Sequence, residues 1–199
     1  MTNSPEIASN TTWTITDGKA GMVNQALGLA EAVGLAVVEK TIRPAAPWKW
    51  FPPGNWPSTA SGVGARSDPL VAPLPRLVIS CGRHAIRPAL WIKKQSRGRT
   101  FAVHVQHPRV NPVRFDLVAV PDHDRLAGPN VIPIRGSLHR VTRQRLDAAA
   151  ARLAPAVADL PRPLVAVLIG GTNSVYTLTD RIVARLADDL SRFSTQFGA

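Results

Sequence analysis

The sequence predicts an α/β protein built on a Rossmann-like parallel sheet with flanking helices, followed by the start of a second domain of the same kind. Three stretches predict it. Residues 12–35, 76–94 and 164–193 each run from an apolar strand through a glycine-bearing turn into a segment of helical period. The third follows Pro161-Arg162-Pro163, which reads as a hinge, so the expected division is 1–160 and 161–199.

Taken in order, Trp13 and Ile15 alternate with threonines as a short strand does, and Asp17-Gly18-Lys19-Ala20-Gly21 then breaks the alternation. Both glycines suit positive φ. Val23, Ala26, Leu27, Ala30 and Val33 follow at helical spacing, with Asn24, Gln25 and Glu31 on other faces. Residues 36–42 read as a second strand. Residues 44–75 hold Trp48, Trp50, Phe51 and Trp56 among prolines and glycines that exclude a helix or a central strand. A third strand, 76–80, ends at Cys81-Gly82-Arg83-His84 before a helix over 85–94. Strands over 100–106 and 115–120 follow, ending at His107-Pro108-Arg109 and Pro121-Asp122-His123-Asp124. A short strand at 130–133 precedes a helix over 141–159 with Leu146, Ala149, Leu153 and Val157 on one face. Residues 164–169 are a continuous apolar strand, expected to be buried on both faces. They lead through Gly170, Gly171, Thr172, Asn173 and Ser174 into a helix over 178–193.

The formal charge is +11, from 24 Lys and Arg against 13 Asp and Glu. Such a balance suits phosphates, anionic membrane surfaces and nucleic acid alike. The sequence contains no zinc finger, RNP motif or basic recognition helix, so nucleic acid is not an expected partner. A single cysteine, Cys81, excludes an internal disulfide and a cysteine-based zinc site, and after Leu77, Val78 and Ile79 it reads as a buried small hydrophobe. Residues 1–11 lack the basic start and apolar run of a signal peptide, and no apolar run is long enough to span a bilayer. The expected location is the cytoplasm, with peripheral attachment to the inner membrane as its membrane-linked form.

Parallel strands deliver their following loops to one sheet edge, so Gly18, Lys19 and Gly21, Gly82 and Arg83, and Arg109 are expected to meet there as a basic cluster. Asn24 and Gln25, early in the first helix, join them as candidate ligand contacts. Arginine suits bidentate phosphate contact and lysine acts as a point charge; the bland alternatives are a permissive turn and three exposed cations. Asp122 and Asp124 form a D-x-D pattern that two carboxylates could use on a hard cation or simply to cap a turn. The site is expected to be metal-free, with Asp122, His123 and Asp124 as catalytic candidates and His123 as the general base. His104 within a strand reads as core, and His107 at the strand end as a cleft residue. Trp48, Trp50, Phe51 and Trp56, near Lys40, Arg43 and Lys49, pair interfacial aromatics with cations. They are expected to meet an anionic membrane surface, the alternative being that the rings fold back over the sheet.

The blocks at 13–32, 78–83, 105–109, 115–124, 128–132 and 168–173 together resemble the mitochondrial-fission "elongated mitochondria" family and its bacterial homologues. The resemblance runs nearly the whole length from Thr12. It implies a peripheral protein, since plant members help recruit a dynamin-related fission protein to mitochondria, and a chain that continues past residue 199. It also implies a two-domain arrangement similar to the GT-B glycosyltransferases, among them the peripheral enzyme that adds N-acetylglucosamine to a membrane lipid in peptidoglycan synthesis. In that fold the first domain takes the acceptor and the second the nucleotide sugar, without metal. The implied donor contact is the segment Gly170, Gly171, Thr172, Asn173 and Ser174. The expected function is therefore transfer of a sugar from a nucleotide sugar to an envelope or lipid-linked acceptor, with no cofactor beyond the donor itself. The alternative is an adaptor that keeps the fold without the chemistry, its partner then being a protein.

Overall fold

Six strands, β1 (Ile7–Thr16), β2 (Ala36–Thr41), β3 (Leu74–Cys81), β4 (Phe101–Val105), β5 (Leu117–Pro121) and β6 (Val131–Ile134), pair in parallel in the order β2-β1-β3-β4-β5-β6. The computed structural model describes residues 6–56, 62–172 and 176–198. The chain leaves β1 through helix α1 (Ala20–Val33) to β2 at one edge, then returns past β1 to β3, and α2 (Ile86–Gln95) carries it from β3 to β4. This is a Rossmann-like fold whose strand order reverses between β1 and β3.

The two faces follow from the period of the strands. Leu77, Ile79 and Cys81 of β3 pack with Val103 and Val105 of β4 against Ala26 and Ala30 of α1. Val78 points the other way and joins Ala102, Val118 and Val120 under Ile86, Ala89 and Ile92 of α2. Small residues on α1 let it lie close: a Cβ on Gly28 would sit 2.6 Å from the carbonyl oxygen of His139. That contact, with the Arg140–Glu31 ion pair at 2.5 Å, fastens the segment after β6 across α1.

Several expectations are corrected. β1 begins at Ile7, five residues before the alternation starts, because a register shift between Ala8 and Thr12 interrupts the period there. Leu74 and Pro75 join β3, and the rest of the proline-rich region is not wholly irregular: Pro44 bridges Val63, and short 3-10 turns form at Trp48–Trp50 and Pro53–Asn55. Gly18 takes positive φ (82°), but Gly21 lies inside the first turn of α1 and needs no special conformation.

By contacts, residues divide into the units Met1–Val141 and Thr142–Ala199. In the second, α3 (Arg143–Leu153) is shorter than expected and ends in a 3-10 turn at Ala154–Val157. α4 (Asp180–Phe197) starts two residues late and runs four further. Thr142 and Thr179 cap the two helices, each hydroxyl accepting from a first-turn amide. Residues 164–169 are not a buried strand: they form no strand pair among the described residues, and Leu168 is 98% exposed. A strand exists only by hydrogen-bonding to a neighbour, and among the described residues this unit has none to offer.

Candidate functional site

Pairing of Thr16 with Thr41, Ile15 with Ser80 and Cys81 with Val105 aligns the carboxyl ends of β1, β2, β3 and β4. The loops that leave β1, β3, β4 and β5 therefore open onto one side, around a groove of about 770 Å³ at the point where strand order reverses. In open α/β sheets this is where ligands bind. Of the residues singled out from sequence, Lys19, Gln25, Trp50, Gly82, Arg83, His107, Arg109, His123 and Asp124 line it. Gly18, Gly21, Asn24 and Asp122 do not. Gly170, Gly171 and Thr172 belong to the second unit, where they are exposed. The Thr172 hydroxyl accepts from the Leu178 amide at 3.0 Å, and α4 begins only at Asp180, so these glycines do not open directly into a helix as expected. Asn173 and Ser174 lie outside the described residues.

Backbone strain collects at this edge. Gln106 (φ 84°) and Arg109 (φ 56°) follow β4, and Arg125 (φ 51°) follows the turn after β5, all in a region that non-glycine residues rarely occupy. Gly82 (φ 85°) makes the corresponding turn after β3, and a Cβ there would meet the Met22 sulfur at 3.3 Å. The backbone conformation is what calls for glycine, since the flexible Met22 side chain could give way by a few tenths of an ångström.

Two polar groups bonded at this edge, Asp17 and His84, are not among the site residues expected from sequence. Asp17 does not cap α1, whose N-cap is Lys19 and has no side-chain cap. Its carboxylate pairs instead with Lys19 Nζ at 2.7 Å and with His84 Nδ1 at 3.4 Å. Burial would raise the Asp17 carboxyl, but the hydrogen bonds and charge of Lys19, with His84 beside it, outweigh burial and hold it below the usual carboxylate range. On its other side His84 Nε2 accepts from Arg83 Nε at 3.0 Å, and the imidazole stacks on Trp56, 6.0 Å between centroids and 25° between planes. Arg83 also donates to the Lys49 carbonyl at 2.6 Å. Arg109, by contrast, makes no side-chain hydrogen bond among the described residues and extends the positive edge of the groove.

His123 and Asp124 are held loosely: His123 is 75% exposed, and its Nε2 lies 3.9 Å from Asp124 Oδ1. Among the described residues no three His, Cys, Asp or Glu side chains converge as metal ligands. Cys81 is inert, burial and then the Asp17 charge pushing its thiol up to about 12. A second groove of about 450 Å³ runs along α2, but its Arg87 is committed to the carbonyls of Pro53, Gly54 and Trp56, and its Lys93 to Asp116.

Those bonds also settle the aromatic segment. Trp56 is 3% exposed and donates to the Phe51 carbonyl, so it belongs to the core rather than to the membrane-facing set expected from sequence. Trp48 is half-buried, and Trp50 (66% exposed) and Phe51 remain outside, with Lys49 Nζ 4.4 Å from the Trp50 ring. No helix among the described residues is long and apolar enough to cross a membrane.

The sequence profile of the family described as Mitochondrial fission ELM1 matches residues 20–199. A curated relative, Mitochondrial fission protein ELM1 of Arabidopsis thaliana, is 31% identical over 139 residues, covering 58% of this chain and 33% of that protein. The matched stretch thus spans about a third of the relative's length. No solved structure matches. With nearly the whole chain matched by its profile, this protein belongs to the mitochondrial fission ELM1 family.

Proposed function

We propose that the groove binds a phosphate-bearing acceptor and that the chain is the acceptor-side part of a GT-B-like glycosyltransferase working at a membrane surface. The observation that carries the reading is the convergence of Lys19, Arg83 and Arg109, from the ends of three different strands, on one open groove at the reversal of strand order. Cations fixed at a sheet edge beside the unsatisfied amides of α1 favour an anionic group. His123 and Asp124, on the β5 side, are the groups we assign to proton transfer with an acceptor hydroxyl. Gly170, Gly171 and Thr172, with Asn173 and Ser174, are the segment we assign to the donor diphosphate. Trp50 and Phe51, at the rim that Trp50 shares with the groove, would place the acceptor site against lipid.

The test is calorimetric titration of the full-length protein with nucleoside diphosphates, their sugars and inorganic pyrophosphate. Binding of a nucleotide sugar that requires residues 170–174, and of pyrophosphate that is lost in Lys19→Ala and Arg109→Ala, is the expected outcome; absence of binding to all would remove the enzymatic reading. A second reading, an adaptor that recruits a protein partner, draws on one observation: Asp17, His84 and Arg83 are already bonded to one another.

A further inference from the structure

An arginine donating to a histidine ring nitrogen is an uncommon pairing, because both side chains are ordinarily thought of as cations. It holds only when the imidazole is neutral and keeps a lone pair at the nitrogen that faces the guanidinium. Here Asp17 Oδ2 stands at Nδ1 and Arg83 Nε at Nε2, which assigns the proton to Nδ1 and the lone pair to Nε2. The ring is clamped between Asp17 and Arg83 and laid on buried Trp56, so its two nitrogens have fixed directions. Arg83 itself is on the surface and lines the groove, whereas His84 lies behind it.

We propose that His84, oriented by Asp17, is a positioning residue that presents the Arg83 guanidinium to an anionic ligand in the groove. The inference rests on the phosphate reading of that groove and adds to it the machinery that aims one of its cations. With Nε held by His84 and one terminal nitrogen held by the Lys49 carbonyl, the guanidinium loses most of its rotational freedom before any ligand arrives. Its remaining N–H groups are left for the groove. A long side chain fixed beforehand spends less conformational entropy on binding than a free one. The groups facing His84 agree with a neutral ring: burial and then the Arg83 charge lower its pKa, Asp17 opposes them, and the Lys19 charge adds to the lowering.

Asparagine and glutamine separate the two nitrogens of the ring. His84→Asn places an amide near Nδ1, within reach of Asp17 but short of Arg83, and His84→Gln carries an acceptor near Nε2. Calorimetric binding of inorganic pyrophosphate to the full-length protein should weaken on the order of tenfold in His84→Asn, as expected when a charged donor loses its partner, and stay near the wild-type value in His84→Gln. In an Arg83→Ala background, His84→Asn should cause no further loss, because a residue that acts through Arg83 has nothing left to act on. Thermal melts of each variant confirm that the fold persists. Wild-type affinity in His84→Asn, equal losses in the two His84 variants, or additive losses in the double variant would overturn the inference while leaving the phosphate reading intact. A wild-type protein that does not bind pyrophosphate would overturn both.

Discussion

His104 predicts how stability responds to acid. It lies in β4, fully buried, with Nδ1 2.9 Å from the Ser80 hydroxyl and its ring 5.1 Å from that of Phe115. Ser80 spends its one hydrogen on the Val103 carbonyl at 3.1 Å, so Nδ1–H donates to Ser80 and Nε2 is left as a bare lone pair with no partner among the described residues. A proton there would be a charge in an apolar core, and burial, followed by the nearby His107 charge, drives the pKa from 6.5 to about 3. A folded-state pKa below the unfolded one means that stability is complete above the unfolded value and is lost as pH falls toward the folded one. At pH 5 the gap is about 1.5 units from the unfolded value, and at about 1.36 kcal/mol per unit the loss is about 2 kcal/mol. Urea unfolding followed by tryptophan fluorescence at pH 7 and pH 5 measures it. His104→Asn keeps a donor toward Ser80 but cannot titrate. It should be less stable than wild type at pH 7 through the space it leaves, yet lose about 2 kcal/mol less between the two pH values. The other titrating groups are common to both proteins and cancel in that difference. Equal losses would refute the assignment of a neutral, unpartnered Nε2.

Glycines 28 and 21 should behave oppositely although both are helical. Gly28→Ala, with a Cβ 2.6 Å from the His139 carbonyl oxygen, should cost about 1–3 kcal/mol in thermal melts or dislodge the segment that carries Gly136 and Ser137 to the groove. Gly21→Ala, with nothing within 4 Å, should be neutral or stabilise by about 0.5–1 kcal/mol. Trp50→Ser with Phe51→Ser should abolish co-sedimentation with anionic liposomes at an unchanged melting temperature. Trp56→Ser should instead destabilise by about 3 kcal/mol or more, and a silent Trp56 variant would contradict its place in the core. Amides of residues 165–169 should exchange at near-unfolded rates, since none has a strand partner; strong protection in the monomer would contradict the exposed, unpaired segment.

The sheet was legible because period and punctuation agreed. Val78 and Ile79 alternate between the α2 and α1 faces, and each strand through β5 ends at a turn signal, so strand positions along this stretch follow from local sequence. Residues 164–169 show where local sequence stops deciding. The run is as apolar as β3, but a parallel strand is a relation between two segments, and hydrophobicity alone cannot supply the second one. Trp56 makes the same point for side chains. Nothing near it in sequence distinguishes it from Trp50, and its burial depends on Arg87, thirty-one residues away, taking its carbonyl, and on His84 receiving its ring.

The site divides along the same line. Lys19, Arg83 and Arg109 could be placed together because each follows a strand end, and parallel strands fix where their ends go. The Asp17–His84 contact could not, since it depends on β1 and β3 being neighbours, and the order of strands in the sheet is not written in any single βα unit. A signal did exist: both residues sit one or three positions past strands that end in a positive-φ glycine turn, Gly18 after β1 and Gly82 after β3. Two such turns facing each other across the reversal point bring the side chains beside their glycines into a shared space. There a carboxylate, an imidazole and a guanidinium satisfy one another in series, and the cation at the end of that series is the one turned toward the groove.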